Sequence, residues 1–314
     1  MPLLFLFMTK VIFLFFASFF LLLAIFSGNF QLSLEKQLFY SLALIFIFGI
    51  PHGAIDHVIF LHRRAISKWK FYFSYLGGVL INILLWIYFP AIAFFLFLLL
   101  SAYHFGQSQL SHYAIKGFTN KLLYFSWGLA LLLGMLSLNQ VEILKMITQM
   151  EDFEQLSIFL SGSLLAISFY FFLALTVLLL LRNWWQKNLK TDQFFMELLV
   201  YALAFVSFFV FPLLIGFTLY FIVLHSIKVL GEEYDFVNRY LKNHISIGRF
   251  VQLLLPFSML SLGGLILIYF LTQSSFLQFP FGYVLLIMIS SITMPHAFVM
   301  EYFYRFKIAE SRAE

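Results

Sequence analysis

Four of the eight histidines in this 314-residue chain stand inside long apolar runs: His52, His104, His225 and His296. An ionisable side chain is expensive to hold in hydrocarbon, so each marks a candidate site. One such histidine alone reads as a hydrogen-bonding strut between helices; four make a donor set. Neutral imidazoles suit iron, copper or zinc, and suit magnesium or calcium poorly. Cys is absent, which removes disulfides, iron–sulfur clusters, cysteine-zinc sites and thiol nucleophiles. Asp56 follows His52 by four residues on the same helical face, where a carboxylate can orient a ligand imidazole from behind. His57 is rotated about 140° from His52 and ranks below it as a ligand to the same ion. Gln107 and Ser108 add polar groups beyond His104, and Gly53 and Gly106 permit close backbone approach. Pro51 and Pro295 each precede a histidine and free a backbone carbonyl inside a span. His62, His112 and His244 fall at interfacial or loop positions and take no role.

The elements that carry these side chains are set by composition. Apolar residues make up 63% of the chain and charged ones 11%, with 45 Phe and a mean hydropathy of +0.97. A water-soluble enzyme is excluded, and the chain is measured against the bilayer. The expected fold class is all-α, a polytopic transmembrane helix bundle. Apolar runs cut at Pro90, at Pro212 and across Gln273 to Pro280 give ten helices, near 3–26, 38–60, 71–89, 90–110, 121–138, 158–182, 194–211, 213–234, 250–271 and 281–304. Lys and Arg test that count. With both termini on one side, that side holds 17 of the 19 basic residues, and only Lys36 and Lys145 fall opposite. Cytoplasmic flanks are enriched in both residues, so both termini are expected in the cytoplasm, and the net charge of +5 is a topology signal. The first helix resembles a signal peptide's apolar region but lacks a clear cleavage site and is read as retained. His52, His104, His225 and His296 come 14, 14, 12 and 15 residues after the starts of helices that all run inward. That is a common depth of roughly 18–23 Å below the outer edge.

Several strings carry a family resemblance. Pro51-His52-Gly53-Ala54-Ile55-Asp56-His57, Ser101-Ala102-Tyr103-His104-Phe105-Gly106, His225-Ser226 and Pro295-His296 resemble, in order and helix context, the Brp/Blh family of membrane β-carotene 15,15′-dioxygenases. The likeness runs over about residues 38–305 and leaves the first helix outside. It implies cleavage of the central double bond of β-carotene by O2 into two retinals, with Fe(II) held by histidines. The family's ligands come from the PHG and HFG motifs and both histidines of HSxxH, and carried over they fall on His52, His104 and His225. The second histidine of HSxxH is replaced by Val229. Either three histidines plus water hold the iron, or another group fills in, or this member has lost the reaction. His296 is the preferred substitute by depth, and Glu232 the next, two turns beyond His225.

An intramembrane site reached from lipid suits a polyene that partitions into the bilayer. Tyr103, Phe105, Tyr220, Phe221 and Phe298 are candidates to line a groove, although in a chain with 21% aromatics most rings pack or face lipid. Trp69, Trp184 and Trp185 read as interface anchors. The partners expected are β-carotene, O2 and membrane lipids, with no nucleic acid, and a microbial rhodopsin would suit as consumer of the retinal. The domain reading is one integral membrane domain over 1–314, with 1–30 an additional helix, in the cell membrane (the inner membrane of a bacterium). Three rival readings are a haem-bearing electron-transfer protein with paired axial histidines, a transporter with His and Asp in an ion path, and a non-catalytic carotenoid-binding relative.

Overall fold

The computed structural model describes residues 2–27, 32–62, 67–113, 115, 118–147, 154–240, 245–274 and 281–310. Five of the 17 basic residues counted on one side, Arg63, Arg64, Lys116, Lys242 and Arg312, lie outside the described residues, as do His244 and most of the break from Gln273 to Pro280. Fourteen α-helices are described, in chain order α1 (Pro2–Phe26), α2 (Leu34–Leu44), α3 (Asp56–Leu61), α4 (Lys68–Tyr88), α5 (Pro90–Leu110), α6 (Phe118–Leu138) and α7 (Gln140–Ile147). They continue with α8 (Glu154–Ser161), α9 (Ser163–Trp185), α10 (Thr191–Val210), α11 (Leu213–Leu219), α12 (Ile227–Tyr240), α13 (Ile247–Gln273) and α14 (Phe281–Glu310). No strand occurs among the described residues. Among the described residues ten helical stretches are long and apolar enough to cross a membrane, and each overlaps one of the ten expected spans. The chain is an all-α polytopic membrane protein.

The breaks follow backbone chemistry. Phe89 leaves helical geometry at φ −143°, ψ 61° and Pro90 opens α5 at a position whose missing N–H costs nothing. Before α11 it is Pro212 itself that leaves helical geometry, as the cap at φ −52°, ψ 150°. Two spans are composite. Residues 36–61 run through α2, a π-helical turn at Ile45–Gly49, a 3₁₀ turn at Ile50–Gly53 and α3. Residues 213–239 run through α11, a π-helical segment at Tyr220–Ser226 and α12. The interval between the expected spans 121–138 and 158–182 carries the short helix α7 and the start of α8.

The chain divides into two units, one of Met1–Ile55 with Val206–Ile268 and the other of Asp56–Phe205 with Tyr269–Glu314. In the first, α1 buries Met8, Val11 and Phe15. Phe19 of α1 meets Phe211 edge-on at 5.1 Å between ring centroids. The two π-helical segments pack against each other, and Gly49 makes this possible, since a Cβ there would lie 2.7 Å from the Phe221 ring.

In the second unit, α5 and α6 cross with backbones in contact. A Cβ on Gly106 would fall 1.8 Å from the Tyr124 carbonyl oxygen, and one on Gly128 1.8 Å from that of Ala102. The expected close approach at Gly106 is therefore real, and it is reciprocal. Helices α4 and α14 are held by a polar stripe. The Ser290 and Ser291 hydroxyls both donate to Asn82 Oδ1 at 3.1 Å, the Trp86 indole N–H donates to Ser290, and Tyr283 donates to the Trp86 carbonyl at 3.2 Å. Asn82 and Trp86 are fully buried. Polar bonds satisfied inside an apolar interface fix helix rotation in a way that interchangeable apolar contacts do not.

Candidate metal centre

The first unit brings together His52 and His225. Pro51 forces a tight turn that puts His52 on a 3₁₀ segment immediately after a π turn. His225 belongs to the facing π segment. π turns insert one residue into a helix and recur at functional sites, because the widened turn re-aims a side chain. Both imidazoles are buried, at 7% and 2% exposure. Their centroids are 5.3 Å apart with planes nearly perpendicular, at 87°. Phe221 stacks on His225 at 5.5 Å and 23°, and Phe217 stacks on Phe221 at 5.5 Å and 17°, so a column of flat rings runs along the helix into the imidazole. One turn beyond His225, Val229 is fully buried. Lys228, Glu232 and Glu233 are buried on the same helix, α12.

The second unit brings together His104, His296 and Asp56. His104 and His296 are 3% and 5% exposed, with centroids 5.1 Å apart at 75°. His296 Nδ1 lies 2.9 and 3.0 Å from the two carboxylate oxygens of Asp56. A carboxylate that accepts this bond takes the hydrogen from Nδ1, which in a neutral ring leaves the lone pair on Nε2. The Tyr75 hydroxyl donates to Asp56 Oδ2 at 3.0 Å. Asp56 thus orients an imidazole, as its position suggested, but the imidazole belongs to a helix 240 residues away.

Other predicted residues are placed elsewhere. His57 turns its ring to Tyr72 of α4, 6.3 Å away. Gln107 and Tyr103 donate to Glu301, which also accepts from Arg305. Ser108 bonds back to the Phe105 carbonyl. Phe298 is 61% exposed, while Phe105 and Tyr220 are buried. Sequence reasoning missed Tyr75, Asn82, Glu301 and Glu197. Glu197 is fully buried in α10, and its Oε1 accepts from Gln109 at 3.0 Å and Tyr113 at 2.6 Å. Burial and this carboxylate hold the Tyr113 hydroxyl protonated far above the ordinary phenol range. The available signal for Tyr75 and Asn82 was a stripe Tyr75, Gly78, Asn82, Trp86 at spacings of 3, 4 and 4 on an otherwise apolar helix.

Residues 43–304 match the family described as beta-carotene 15,15'-dioxygenase. The chain belongs to this family. No curated protein and no solved structure matches it. The stretch matching the beta-carotene 15,15'-dioxygenase family contains His52, Asp56, Tyr75, His104, His225 and His296 and begins after α1 has ended. Membership makes β-carotene the expected substrate and oxidation the expected reaction class.

Proposed function

We propose that this protein cleaves the central double bond of β-carotene with O2 inside the membrane, with Fe(II) held by His52, His104, His225 and His296. The observation that carries this reading is the pairing of all four buried imidazoles, His52 with His225 and His104 with His296, in a chain of the beta-carotene 15,15'-dioxygenase family. An all-imidazole donor set fits a ferrous ion and leaves positions open for small molecules. Asp56 behind His296 is the support that metal-bound imidazoles ordinarily have. When bound, iron would supply the electronic means to combine dioxygen with an alkene, a reaction otherwise slowed by the triplet ground state of O2. One C=C bond breaks and two aldehyde C=O bonds form, each oxygen atom ending in one retinal, so no external reductant is needed.

The chain's residues bind, orient and exclude water. Phe217 and Phe221 offer a flat apolar wall leading to His225, suited to a conjugated chain. The burial of all four histidines keeps bulk water from the reacting bond. The membrane is proposed to be the cell membrane, with β-carotene entering from lipid and retinal leaving to it, for a retinal-binding protein such as a microbial rhodopsin to take up. A second reading, a carotenoid-binding member without catalysis, is favoured by Val229, an apolar group where the family's motif has a ligand.

One experiment separates the two. In a β-carotene-producing bacterium, expression should bleach the orange colour and yield retinal, and His52→Ala or His104→Ala should abolish both. Unchanged pigment with full membrane expression would select the binding reading.

A further inference from the structure

We propose that Tyr75 is a positioning residue for His296 and that it acts through Asp56. The inference rests on the reading that His296 holds iron, and it deepens that reading by naming what fixes the ligand.

Asp56 begins the short helix α3, and its carboxylate is 3% exposed as a residue. A carboxylate on a six-residue helix would be free to rotate were it bonded once. Here it is bonded from two other helices: Tyr75 of α4 donates to Oδ2 at 3.0 Å, and Nδ1 of His296 on α14 lies between both oxygens at 2.9 and 3.0 Å. The tyrosine fixes the carboxylate plane. The carboxylate then sets the imidazole's tautomer and rotation, so that Nε2 carries the lone pair in one direction.

The stripe along α4 explains why Tyr75 is a reliable anchor. One turn beyond it α14 passes alongside Gly78, where a Cβ would sit in ordinary contact with Pro295 at 3.7 Å. Next, Asn82 takes two serine hydroxyls of α14. The pair of helices that carries Tyr75 and His296 is thereby pinned in rotation, and the Tyr75–Asp56–His296 chain closes at the end of the same stripe. Tyr75 does no chemistry on a substrate. It converts the rigidity of the α4–α14 contact into a fixed ligand direction.

The test uses purified full-length protein loaded with Fe(II) without oxygen, with iron retention measured against a chelator and the optical spectrum recorded after loading with Co(II). Asp56→Asn should weaken iron retention about 10- to 100-fold, the range typical for loss of a carboxylate behind a metal-bound imidazole. Tyr75→Phe, which removes one oxygen and keeps the ring, should weaken it severalfold and shift the Co(II) spectrum. In an Asp56→Asn background the same Tyr75→Phe change should have no further effect. Equal effects of Tyr75→Phe in both backgrounds, or wild-type retention and spectrum in Tyr75→Phe, would overturn the proposal. Unchanged thermal stability of the metal-free variants separates positioning from loss of fold. A wild-type protein that retains iron but yields no retinal would refute the cleavage reading while leaving Tyr75 to be judged on these affinities. A wild-type protein that retains no iron would refute both.

Discussion

At the residue scale the fourth imidazole is the sharpest question. Val229 stands where the resemblance implies a ligand and is fully buried, while His296 is buried beside His104 with Asp56 at its back. If His296 has taken over the missing position, His296→Ala should lower bound iron at least tenfold, Val229→His alone should raise it little, and the double variant should recover part of the loss. Iron per chain after size-exclusion chromatography decides it, and a double variant no better than His296→Ala would separate the two positions. The four histidines were legible in the sequence because ionisable groups are rare in apolar runs. Their partners were not. Spacing rules see one helix at a time, so Asp56 reads as a neighbour of His52, and nothing in the chain near residue 56 announces Tyr75 or His296. Glu197 was missed for a related reason: at the edge of a span it looks like a solvated charge until Gln109 and Tyr113 are seen to enclose it.

At the element scale the ten spans were readable to within a few residues, because length and hydropathy are properties of the chain itself and proline marks where one crossing ends. The two π segments were not readable, since one additional residue in a turn leaves no trace in hydropathy. Their importance can be measured. Deleting Val223 from the segment Tyr220–Ser226 should return that stretch to ordinary helix, keeping the flanking turns in register while changing the direction in which the side chains of the segment, His225 among them, project. The variant should reach the membrane at normal yield and lose both iron and retinal production. Wild-type turnover in membranes would show that the π geometry does not aim His225.

At the scale of the whole molecule, the distribution of Lys and Arg argues for orientation more strongly than any single helix does. With 17 of 19 basic residues on one side, alkaline phosphatase inserted beside Lys36 or Lys145 should be active outside the cytoplasm, and a fluorescent protein fused after residue 314 should be bright inside it. The opposite pattern would invert the topology and the depth assigned to the histidines. The family match starts at residue 43, yet α1 lies earlier, and its Phe19 and Phe26 rings flank Phe211 at 5.1 and 5.7 Å. A gene trimmed to the matched stretch would therefore strip a greasy shield from the bend that leads into the span carrying His225, so expression work should begin from the untrimmed reading frame.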